Sequence, residues 1–571
     1  MGKQSDKYVW ILAGVCILSL FLFLGESLFN TRGEPREAIV AYSMLDKGNW
    51  ILPVNNGVDM AYKPPLFHWC IALISSIVGG VTEYTSRMPS ALSLMVMVMA
   101  GYAFYAKRRG KELAFVMGLI TLTNFEVHRA GTNCRVDMLL SALMVLALYQ
   151  LYKWGEKRLQ GVPWIGILCL SGAFLTKGPV GAVLPCLVVA VFLWIRGMKF
   201  WRIFYSFFGI FIASCVLPFV WYWAAYQQGG DKFLQLVLEE NVLRFLGKMT
   251  YESHENPAYY NVITVVAGYV PYTLLVLISL FALKYKKIQG KPREWWTRFR
   301  TYIRQMDDAR LFSLLSIVLI FVFYCIPKSK RSVYLLPIYP FIAYFLAEYI
   351  LYLLRVRPVV IKVFGSIMAS LAIILLAVFF SLRMGWIPET IFSGRHAAEN
   401  VAFMRALGTV PLGFVSYTLI GIMLIAIKSF FSTIRNTKFD NTRHYDVIVL
   451  IFSIFLLLDG LLTPTVLNVK SDKPVAEQIA SFVPEGTLYV YMPNQVKGNP
   501  MRPFTVNFYL GDRIVPFEDS MPEEGYLIIG EENIGTFTEN YGGYQIKEVY
   551  NSHHRSCDDR KTICLYQFRK E

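Results

Sequence analysis

Long apolar stretches separated by short charged loops dominate the chain up to about residue 465. The first stretch, Tyr8 to Phe29, is followed by twelve more. Stretches of this length and hydropathy predict membrane-spanning α-helices, whereas a membrane β-barrel would show short alternating strands. Because no small-residue cleavage site follows the first stretch, we interpret it as a retained helix rather than a signal peptide. The predicted spans cover residues 8–29, 88–106, 112–125, 137–152, 162–176, 179–195, 203–226, 259–283, 311–326, 333–354, 359–381, 411–430 and 446–463.

The segment Leu66–Val81 decides the predicted topology. It is apolar but short, and it lies between Pro64-Pro65 and Gly79-Gly80. If it crossed the membrane, the basic loops 107–111 and 153–158 would face outside. If it is an interfacial or re-entrant helix, every strongly basic loop lies on one side, as the positive-inside rule favours. We therefore expect about thirteen transmembrane helices, an internal N-terminus, and an external side that carries the chemically unusual residues.

The pattern changes after residue 465. The stretch "VAEQIASFV" has helical spacing, and "TLYVYM", "FTVNFYL", "GYLIIG" and "TICLYQF" predict strands between turn residues. The sequence thus predicts an all-α polytopic membrane domain over residues 1–465 and a small extracytoplasmic α/β domain over residues 466–571. Cys557 and Cys564 could form a disulfide in an oxidising compartment or remain two free thiols.

Composition supports the membrane interpretation. Of the 571 residues 55% are hydrophobic, too many for a single soluble domain, and the formal net charge is +16. In a polytopic membrane protein this excess of Lys and Arg is explained by cytoplasmic loops that set the topology. The sequence contains no basic, aromatic-interleaved nucleic-acid module and no CxxC pair with metal-ligand spacing.

The first external loop, residues 30–87, carries unusual charge for a membrane surface. In "GEPREA" Glu34 could act as a general base and Arg36 could bind a phosphate, while Pro35 predicts an extended backbone at Glu34. Lys63 precedes two prolines, which restrict the backbone next to it. A cation in such a fixed position is suited to bind an anionic group. Taken alone, "GEPREA" is better explained as an interfacial salt-bridged loop, and Lys63 has the alternative of a lysine that snorkels at a helix start.

Later external segments add further candidates. Asp137 lies at the start of an apolar helix, two residues after Arg135. At this position an aspartate could stabilise the helix N-terminus or serve as a functional carboxylate. Lys177 stands at the turn "TKGPVG". A plain helical hairpin would not need a lysine at this position. A basic group at 328–331 faces outside against the positive-inside trend, which indicates an anionic partner such as a lipid phosphate. The remaining candidates in these segments are Arg244, His254, Lys328, Lys330, Arg331 and Tyr334.

Taken together, these motifs resemble a known family. "GEPREA", "YKPPLFHW", R-x-D at 135–137, "TKGPVG", N-x-x-R-F at 241–245 and "PKSKRSVYLLPIYP" are similar to the GT-C glycosyltransferases. The branch they resemble most is the bacterial aminoarabinose transferase of lipid A, with its protein-mannosyltransferase relatives. The resemblance covers roughly residues 8 to 345.

The resemblance implies an inverting transfer of a sugar from a polyprenyl phosphate. It implies Glu34 as the base, Asp137 as a second acid, and Arg36 and Lys63 as phosphate ligands. Gly33 stands where that branch usually has an acid. Tyr62 stands where it has a glutamate that, with a histidine resembling His254, can hold zinc. No cofactor and no metal site are therefore predicted, although a divalent ion at Glu34 and Asp137 stays open.

The sequence as a whole predicts an integral membrane glycosyltransferase of the bacterial inner membrane. Its active site would face the periplasm, and its acceptor would be a lipid A-like lipid, a glycan or a protein. We expect a monomer without a nucleic-acid partner. The alternative is a transporter or flippase for an anionic lipid-linked substrate. The predicted substrate and phosphate ligands are Arg36, Lys63, Arg135, Lys177, Arg244, His254, Lys328, Lys330, Arg331 and Tyr334.

Overall fold

The structure, a computed structural model, describes residues 7–243, 248, 255–283, 292–435, 445–492 and 501–571. Its α-helices cover Lys7–Leu20, Pro35–Lys47, Leu66–Val78, Glu83–Arg109, Lys111–Leu122, Phe125–Gly131, Val136–Glu156, Trp164–Lys177, Val180–Ile195, Phe200–Leu238 (with a break at Gly230), Tyr259–Gly268, Tyr272–Ala282, Pro292–Gln305, Asp308–Cys325, Tyr339–Val356, Pro358–Arg383, Ala397–Thr409, Phe414–Arg435, Tyr445–Leu457, Thr463–Asn468, Lys473–Phe482, Phe504–Tyr509, Phe517–Ser520 and Ile534–Asn540. Short 3-10 helices cover Ser332–Ile338, Glu389–Ile391 and Glu531–Asn533, and π-helical turns cover Glu239–Leu243 and Leu458–Leu462.

Every predicted span overlaps at least one helix, and the chain is a multi-pass membrane protein. Among the described residues, eight helices are long and apolar enough to cross a membrane by themselves. A ninth candidate is the pair Tyr259–Gly268 and Tyr272–Ala282, which is bent by 96°. Four shorter apolar helices include Leu66–Val78, which has 13 residues and ends at Gly79. The number of thirteen crossings stays a prediction.

The chain divides into two compact units. The first comprises Met1–Leu22, Ser90–Ala377 and Gly413–Leu457. Its helices pack around buried aromatic rings: Phe104 stacks on Tyr149 at 4.4 Å and Tyr105 on Tyr344 at 4.7 Å between centroids. The phenol of Tyr105 shares a 2.6 Å hydrogen bond with the Ser313 hydroxyl. This pairing satisfies a polar group that would otherwise be costly to bury in an apolar core.

The second unit comprises Phe23–Pro89, Val378–Leu412 and Leu458–Glu571, and it contains every strand found among the described residues. Two short strands, β1 (Val54–Asn55) and β2 (Asp59–Met60), form an antiparallel hairpin. A five-stranded sheet has the order β4-β3-β5-β7-β6, with β3 parallel to β4 and β5, and β7 antiparallel to both its neighbours. This confirms the small C-terminal α/β region. Its strands are β3 (Leu488–Val490), β4 (Ile514–Pro516), β5 (Glu524–Gly530), β6 (Tyr544–Arg555) and β7 (Thr562–Lys570).

The prediction of a strand at "FTVNFYL" was wrong, because residues Phe504–Tyr509 form a helix. The alternation of apolar and polar residues suggested a strand with one solvated face. Instead Thr505 and Asn507 are fully buried. The Thr505 hydroxyl donates to Asp558 at 2.8 Å, and the Asn507 amide donates to Asn56 at 2.5 Å. The polar side chains of this segment thus form hydrogen bonds with buried residues from elsewhere in the chain, not with the solvent that the alternating pattern implied.

Within the second unit the first loop packs against the C-terminal segment. The Asp512 carboxylate accepts from the Asn56 backbone N–H at 2.8 Å and pairs with Lys47 at 2.8 Å. Gly57, with φ of 74°, closes the β1–β2 turn so tightly that a Cβ there would lie 3.0 Å from Val515. The predicted boundary between residues 465 and 466 stays a prediction. Cys557 and Cys564 are both free thiols.

Candidate active site

The helix Pro35–Lys47 begins at the "GEPREA" motif. Proline is favoured in the first turn because its missing N–H has no helical partner there. Glu34 precedes the helix with φ of −81° and ψ of −53°, a helical conformation. The expectation of an extended backbone before Pro35 was therefore wrong. The consequence is that Glu34 and Glu37 lie one turn apart on the same helix start, with different surroundings.

Glu34 is held by an arginine that the sequence analysis did not single out. Its side chain is 3% exposed, and its two oxygens accept from Arg87 Nε at 2.8 Å and Nη2 at 3.0 Å. Arg87 also donates to the backbone carbonyls of Leu24 and Ser27. A bidentate pair of this kind is strong and geometrically specific, and it fixes the start of the helix.

Glu37 is the counter-ion of several basic groups. Its carboxylate lies 2.8 Å from Arg36 Nη2, 3.5 Å from Lys63 Nζ and 2.9 Å from His68 Nε2. Burial raises the pKa of Glu37, but Lys63, Arg36 and the His68 hydrogen bond outweigh it and hold the pKa well below its ordinary value. The carboxyl group is therefore ionised at neutral pH.

These groups line a cavity of about 170 Å³ in the second unit. Glu37 and Lys63 line it together with residues of the two strands of the β1–β2 hairpin. The C-terminal segment contributes Arg502 and Phe504 to the same wall. The full lining is Arg32, Arg36, Glu37, Val40, Asn55, Asp59, Met60, Ala61, Tyr62, Lys63, His68, Arg502 and Phe504. Four cations and two carboxylates thus surround the space, which gives it a positive potential suited to an anion.

A second cluster lies in the first unit. Asp137, 7% exposed in the first turn of its helix, forms an ion pair with Lys177. The Lys177 ammonium also lies 4.2 Å from the ring centroid of Tyr334, within cation–π range. Arg135 and Arg331 add positive charge near the Asp137 carboxylate. The structure therefore brings together five predicted residues from three segments that are far apart in the sequence.

The turn that carries Lys177 is sterically restricted. Gly178 has φ of 98°, a conformation that favours glycine, and a Cβ there would lie 2.6 Å from the Asn241 amide oxygen. A Cβ on Gly181 would lie 2.8 Å from the backbone of Ala173. The two helices that flank the turn therefore approach closely, and this restricts the backbone next to Lys177.

The other predicted ligands are more dispersed. Lys330 is buried and donates to the Pro327 carbonyl in its own loop at 2.6 Å, whereas Lys328 is exposed. The Lys328 carbonyl accepts from the Asn256 backbone N–H at 3.2 Å. Arg244 and His254 lie outside the described residues.

With this geometry in view, comparisons with known proteins show three kinds of similarity. The family model of dolichyl-phosphate-mannose-protein mannosyltransferases matches residues 62–223. A *Shewanella sediminis* protein described as undecaprenyl phosphate-alpha-4-amino-4-deoxy-L-arabinose arabinosyl transferase is 26% identical over 68% of this chain and 68% of its own length. The crystal structure of ArnT from *Cupriavidus metallidurans* bound to undecaprenyl phosphate has a TM-score of 0.68 at 20% identity, with 98% of both chains covered.

The resemblance to the GT-C glycosyltransferases is confirmed. At 20% identity the structural likeness establishes the fold alone. An uncharacterised *Aquifex aeolicus* relative is 27% identical over 61% of this chain, and the chain spans 64% of that relative's length. A *Proteus mirabilis* protein named as the same arabinosyl transferase is 26% identical over 61% of this chain, with 60% of its length spanned.

Within the described part of the chain, no group of three or more His, Cys, Asp or Glu side chains could hold a metal ion. Tyr62 lines the cavity. The resident groups there are mainly cations, which suit an anion rather than a metal.

Several residues of this candidate site were not predicted from the sequence. Glu37 and His68 are part of the quoted motifs but were not singled out as candidates. Arg87 lies 53 positions from Glu34, so only tertiary structure pairs them. One signal was available in the sequence, because Glu37 follows Arg36 and lies one helical turn after Glu34. A second acid on a helix close to the membrane is energetically costly unless it is paired, so the spacing indicates a basic partner for Glu37.

Proposed function

We propose that this chain is an integral membrane glycosyltransferase that moves a sugar from a polyprenyl phosphate to an acceptor, with inversion at the anomeric carbon. The observation that carries the proposal is the pairing of Arg36 and Lys63 with the same buried carboxylate, Glu37, in a cavity of a GT-C chain. Two cations that converge on one carboxylate are spaced to bind one phosphate group.

In this proposal the donor phosphate binds to Arg36 and Lys63. Their side chains are 41% and 30% exposed, so both can reach a ligand without leaving the wall of the cavity. As the bond between the sugar and the phosphate breaks, negative charge builds up on the departing polyprenyl phosphate. Fixed cations stabilise that charge more in the transition state than in the ground state, which accelerates the step.

The proposed proton acceptor is a carboxylate at the start of the helix Pro35–Lys47. The sequence favours Glu34, but both of its oxygens are bound to Arg87, whereas Glu37 lines the cavity. A general base must come within hydrogen-bond reach of the attacking hydroxyl. Geometry therefore supports Glu37, with Glu34 as the alternative. A bound phosphate would share Arg36 and Lys63 with Glu37, so the pKa of Glu37 would rise and the carboxylate would become a better base.

The proposal gives the second cluster an electrostatic role. Lys177 is a further candidate for binding an anionic substrate, and Asp137 holds its ammonium against the ring of Tyr334. Arg135 and Arg331 belong to the same positive region. Lys328, as an exposed cation of the neighbouring loop, and Lys330, Arg244 and His254 remain proposed ligands on the basis of the sequence.

The proposed setting is the bacterial inner membrane, with the site on the periplasmic side and the protein acting as a monomer. The named relatives use an undecaprenyl-phosphate-linked aminoarabinose, as their descriptions print. We propose a polyprenyl-phosphate sugar as donor and a lipid A-like lipid, a glycan or a protein as acceptor. The transporter or flippase alternative gains no support from these relatives.

The test is a transfer assay on the purified full-length protein in lipid nanodiscs. Undecaprenyl-phosphate sugars labelled in the sugar are supplied with membrane glycolipids, and released undecaprenyl phosphate and labelled acceptor are measured. We expect both products from the wild type and from the control Lys547→Met, whose lysine is exposed on β6. We expect neither from Lys63→Met. Movement of intact donor across vesicles without release of undecaprenyl phosphate would instead establish a flippase.

A further inference from the structure

The helix Pro292–Gln305 carries an aromatic face that is open to its surroundings. Trp296, Phe299 and Ile303 recur at intervals of three and four residues, so they share one side of the helix. The rings of Trp296 and Phe299 stack with their centroids 5.9 Å apart, yet they are 67% and 55% exposed. Tyr302 is 56% exposed. An exposed aromatic face of this kind indicates a partner other than the described helices.

The polar side of the same helix is basic. It carries four exposed arginines and one acid, which are Arg293, Arg298, Arg300, Arg304 and Glu294. Arg293, Arg300 and Arg304 are spaced seven and four residues apart, so they form one row beside the aromatic face. A helix that combines an aromatic face with a row of cations is typical of proteins that bind at an anionic membrane surface.

The chain places this helix at the end of a membrane span. The helix ends at Gln305, and the span Asp308–Cys325 begins three residues later. Arg196 fixes the junction between them. Its guanidinium donates to the backbone carbonyl of Arg304 at 2.9 Å and forms an ion pair with Asp308 at 2.6 Å. The helix is therefore held at the level where a spanning segment leaves the hydrocarbon.

Exposed tryptophans mark the same level. Trp194 and Trp201 lie on either side of the loop that carries Arg196, and they are 62% and 64% exposed. Tryptophan is enriched where a membrane protein passes through the headgroup layer. The helix Val180–Ile195 begins just after Lys177 and reaches Trp194 in its last turn. This basic and aromatic surface therefore lies at the end of the first unit opposite to Lys177, away from the candidate active site.

We propose that the helix Pro292–Gln305 lies in the headgroup layer and binds an anionic phospholipid. Trp296 and Phe299 would insert among the upper acyl chains. Arg300 and Arg304 would bind the lipid phosphate, because planar guanidinium groups offer paired N–H donors to its oxygens. A lipid with net negative charge, such as phosphatidylglycerol, is favoured over zwitterionic phosphatidylcholine. Continuity with a span commits the surface to a lipid, and the inference does not depend on the sugar donor or acceptor.

The test is hydrogen–deuterium exchange of the full-length protein in nanodiscs. One kind of nanodisc contains phosphatidylcholine alone, and the other also contains phosphatidylglycerol. We expect the backbone amides of residues 296–305 to exchange more slowly with phosphatidylglycerol present. Those of Val136–Glu156 should exchange equally in both and report that the fold is unchanged. Equal exchange of residues 296–305 in the two kinds of nanodisc would overturn the proposal.

A soluble probe separates a lipid from a free phosphate. Glycerol 1-phosphate supplies the headgroup phosphate without acyl chains, and it is added to nanodiscs of phosphatidylcholine alone. We expect it to leave the exchange of residues 296–305 unchanged, because the aromatic face needs a lipid to cover it. Slower exchange with glycerol 1-phosphate, equal to that with phosphatidylglycerol, would assign the arginines to a soluble ligand and would overturn the lipid proposal.

Variants connect the effect to the arginine row. Arg300→Gln should raise the phosphatidylglycerol content needed for half of the protection by roughly fivefold, the usual effect of one cation near an anionic surface. Arg300→Lys keeps the charge and should retain most of the protection. The exposed control Arg569→Gln, on β7, should match the wild type. Protection of Arg300→Gln at wild-type phosphatidylglycerol content would contradict the proposal.

A second copy of the chain is the other occupant that the experiment separates. Nanodiscs loaded with one or with two copies are compared at constant lipid composition. We expect equal protection of residues 296–305 in both. Protection that requires two copies would show that the aromatic face packs against another chain, and it would overturn the proposal. Trp296→Ser/Phe299→Ser should lose the protection by phosphatidylglycerol, whereas the exposed control Trp386→Ser should keep it.

Discussion

The Arg87 guanidinium binds both carboxylate oxygens of Glu34, at 2.8 and 3.0 Å, and both side chains are almost completely buried. One turn later, Glu37 instead lines a cavity with Arg36 and Lys63. The two acids of one short motif therefore have different surroundings. The first fixes the helix start, and the second lies in the wall of the cavity.

The buried pair makes Arg87 a structural residue. Arg87→Met would leave the Glu34 carboxylate buried without its partner, which typically costs about 3–5 kcal/mol. We expect a clearly lower midpoint of thermal unfolding, measured by size-exclusion chromatography after heating in detergent. The double variant Glu34→Gln/Arg87→Met should regain part of the loss because no charge is left unpaired. An unchanged midpoint in Arg87→Met would contradict this role.

Glu37→Gln should lose activity while it remains folded. We expect kcat for sugar transfer to fall by roughly a hundredfold, the lower range for loss of a general base. Glu34→Gln should lose thermal stability more than activity. The reverse result, with Glu34→Gln inactive at a wild-type melting temperature and Glu37→Gln active, would assign the base to Glu34.

Glu37→Gln should also change how the stability of the protein depends on pH. Because the pKa of Glu37 is lowered in the folded state, its stabilising contribution is present above the unfolded-state pKa and is lost as pH falls through the folded-state value. Glu37→Gln should therefore remove part of the loss of stability in acid. Melting temperatures of both proteins from pH 7 down to pH 3 measure this, and equal slopes would argue against it.

Asp137 and Lys177 should act as a unit. Lys177→Met leaves Asp137 without its ion-pair partner, and Asp137→Asn releases the ammonium from its position over Tyr334. We expect each single variant to lower kcat/KM strongly and the double variant to add little, since residues in direct contact couple. Additive losses in the double-mutant cycle would show that the two side chains act independently.

The raised pKa of Asp558 predicts a dependence of stability on pH that is opposite in sign to that of Glu37. Burial, with repulsion from Asp472 and Asp559, raises its pKa to about 7 although Thr505 donates two hydrogen bonds to it. The folded state therefore binds an extra proton between the unfolded-state pKa and about pH 7, and stability declines as pH rises through this window. We expect the melting temperature to fall from pH 5 to pH 8 in the wild type.

Asp558→Asn should flatten this decline, because the amide carries no charge at any of these pH values. It should therefore raise the melting temperature at pH 8 and have little effect at pH 5. Glu485→Gln, at an exposed acid of the same unit, is the control and should follow the wild type. A parallel decline in Asp558→Asn and the wild type would mean that another group titrates.

Local pattern was sufficient for most of the membrane helices. In a membrane, a single apolar stretch can satisfy its own backbone hydrogen bonds only by forming a helix. Helices such as Val136–Glu156 and Asp308–Cys325 could therefore be predicted without knowledge of their neighbours. The strands β5 and β7 were also predictable, because their apolar runs lie between turn residues. The helix at Phe504–Tyr509 was not, since its buried polar side chains depend on partners outside the segment.

The sequence by itself determined the membrane character, the positions of the helices, and the loop in which the charged motif lies. Only the tertiary structure decided which acid of that motif meets which base. Arg87 is 53 residues from Glu34, and His68 is 31 residues from Glu37. Local periodicity fixes a helix because its hydrogen bonds lie within four residues, whereas an ion pair is selected by whichever charged groups the folded chain brings together.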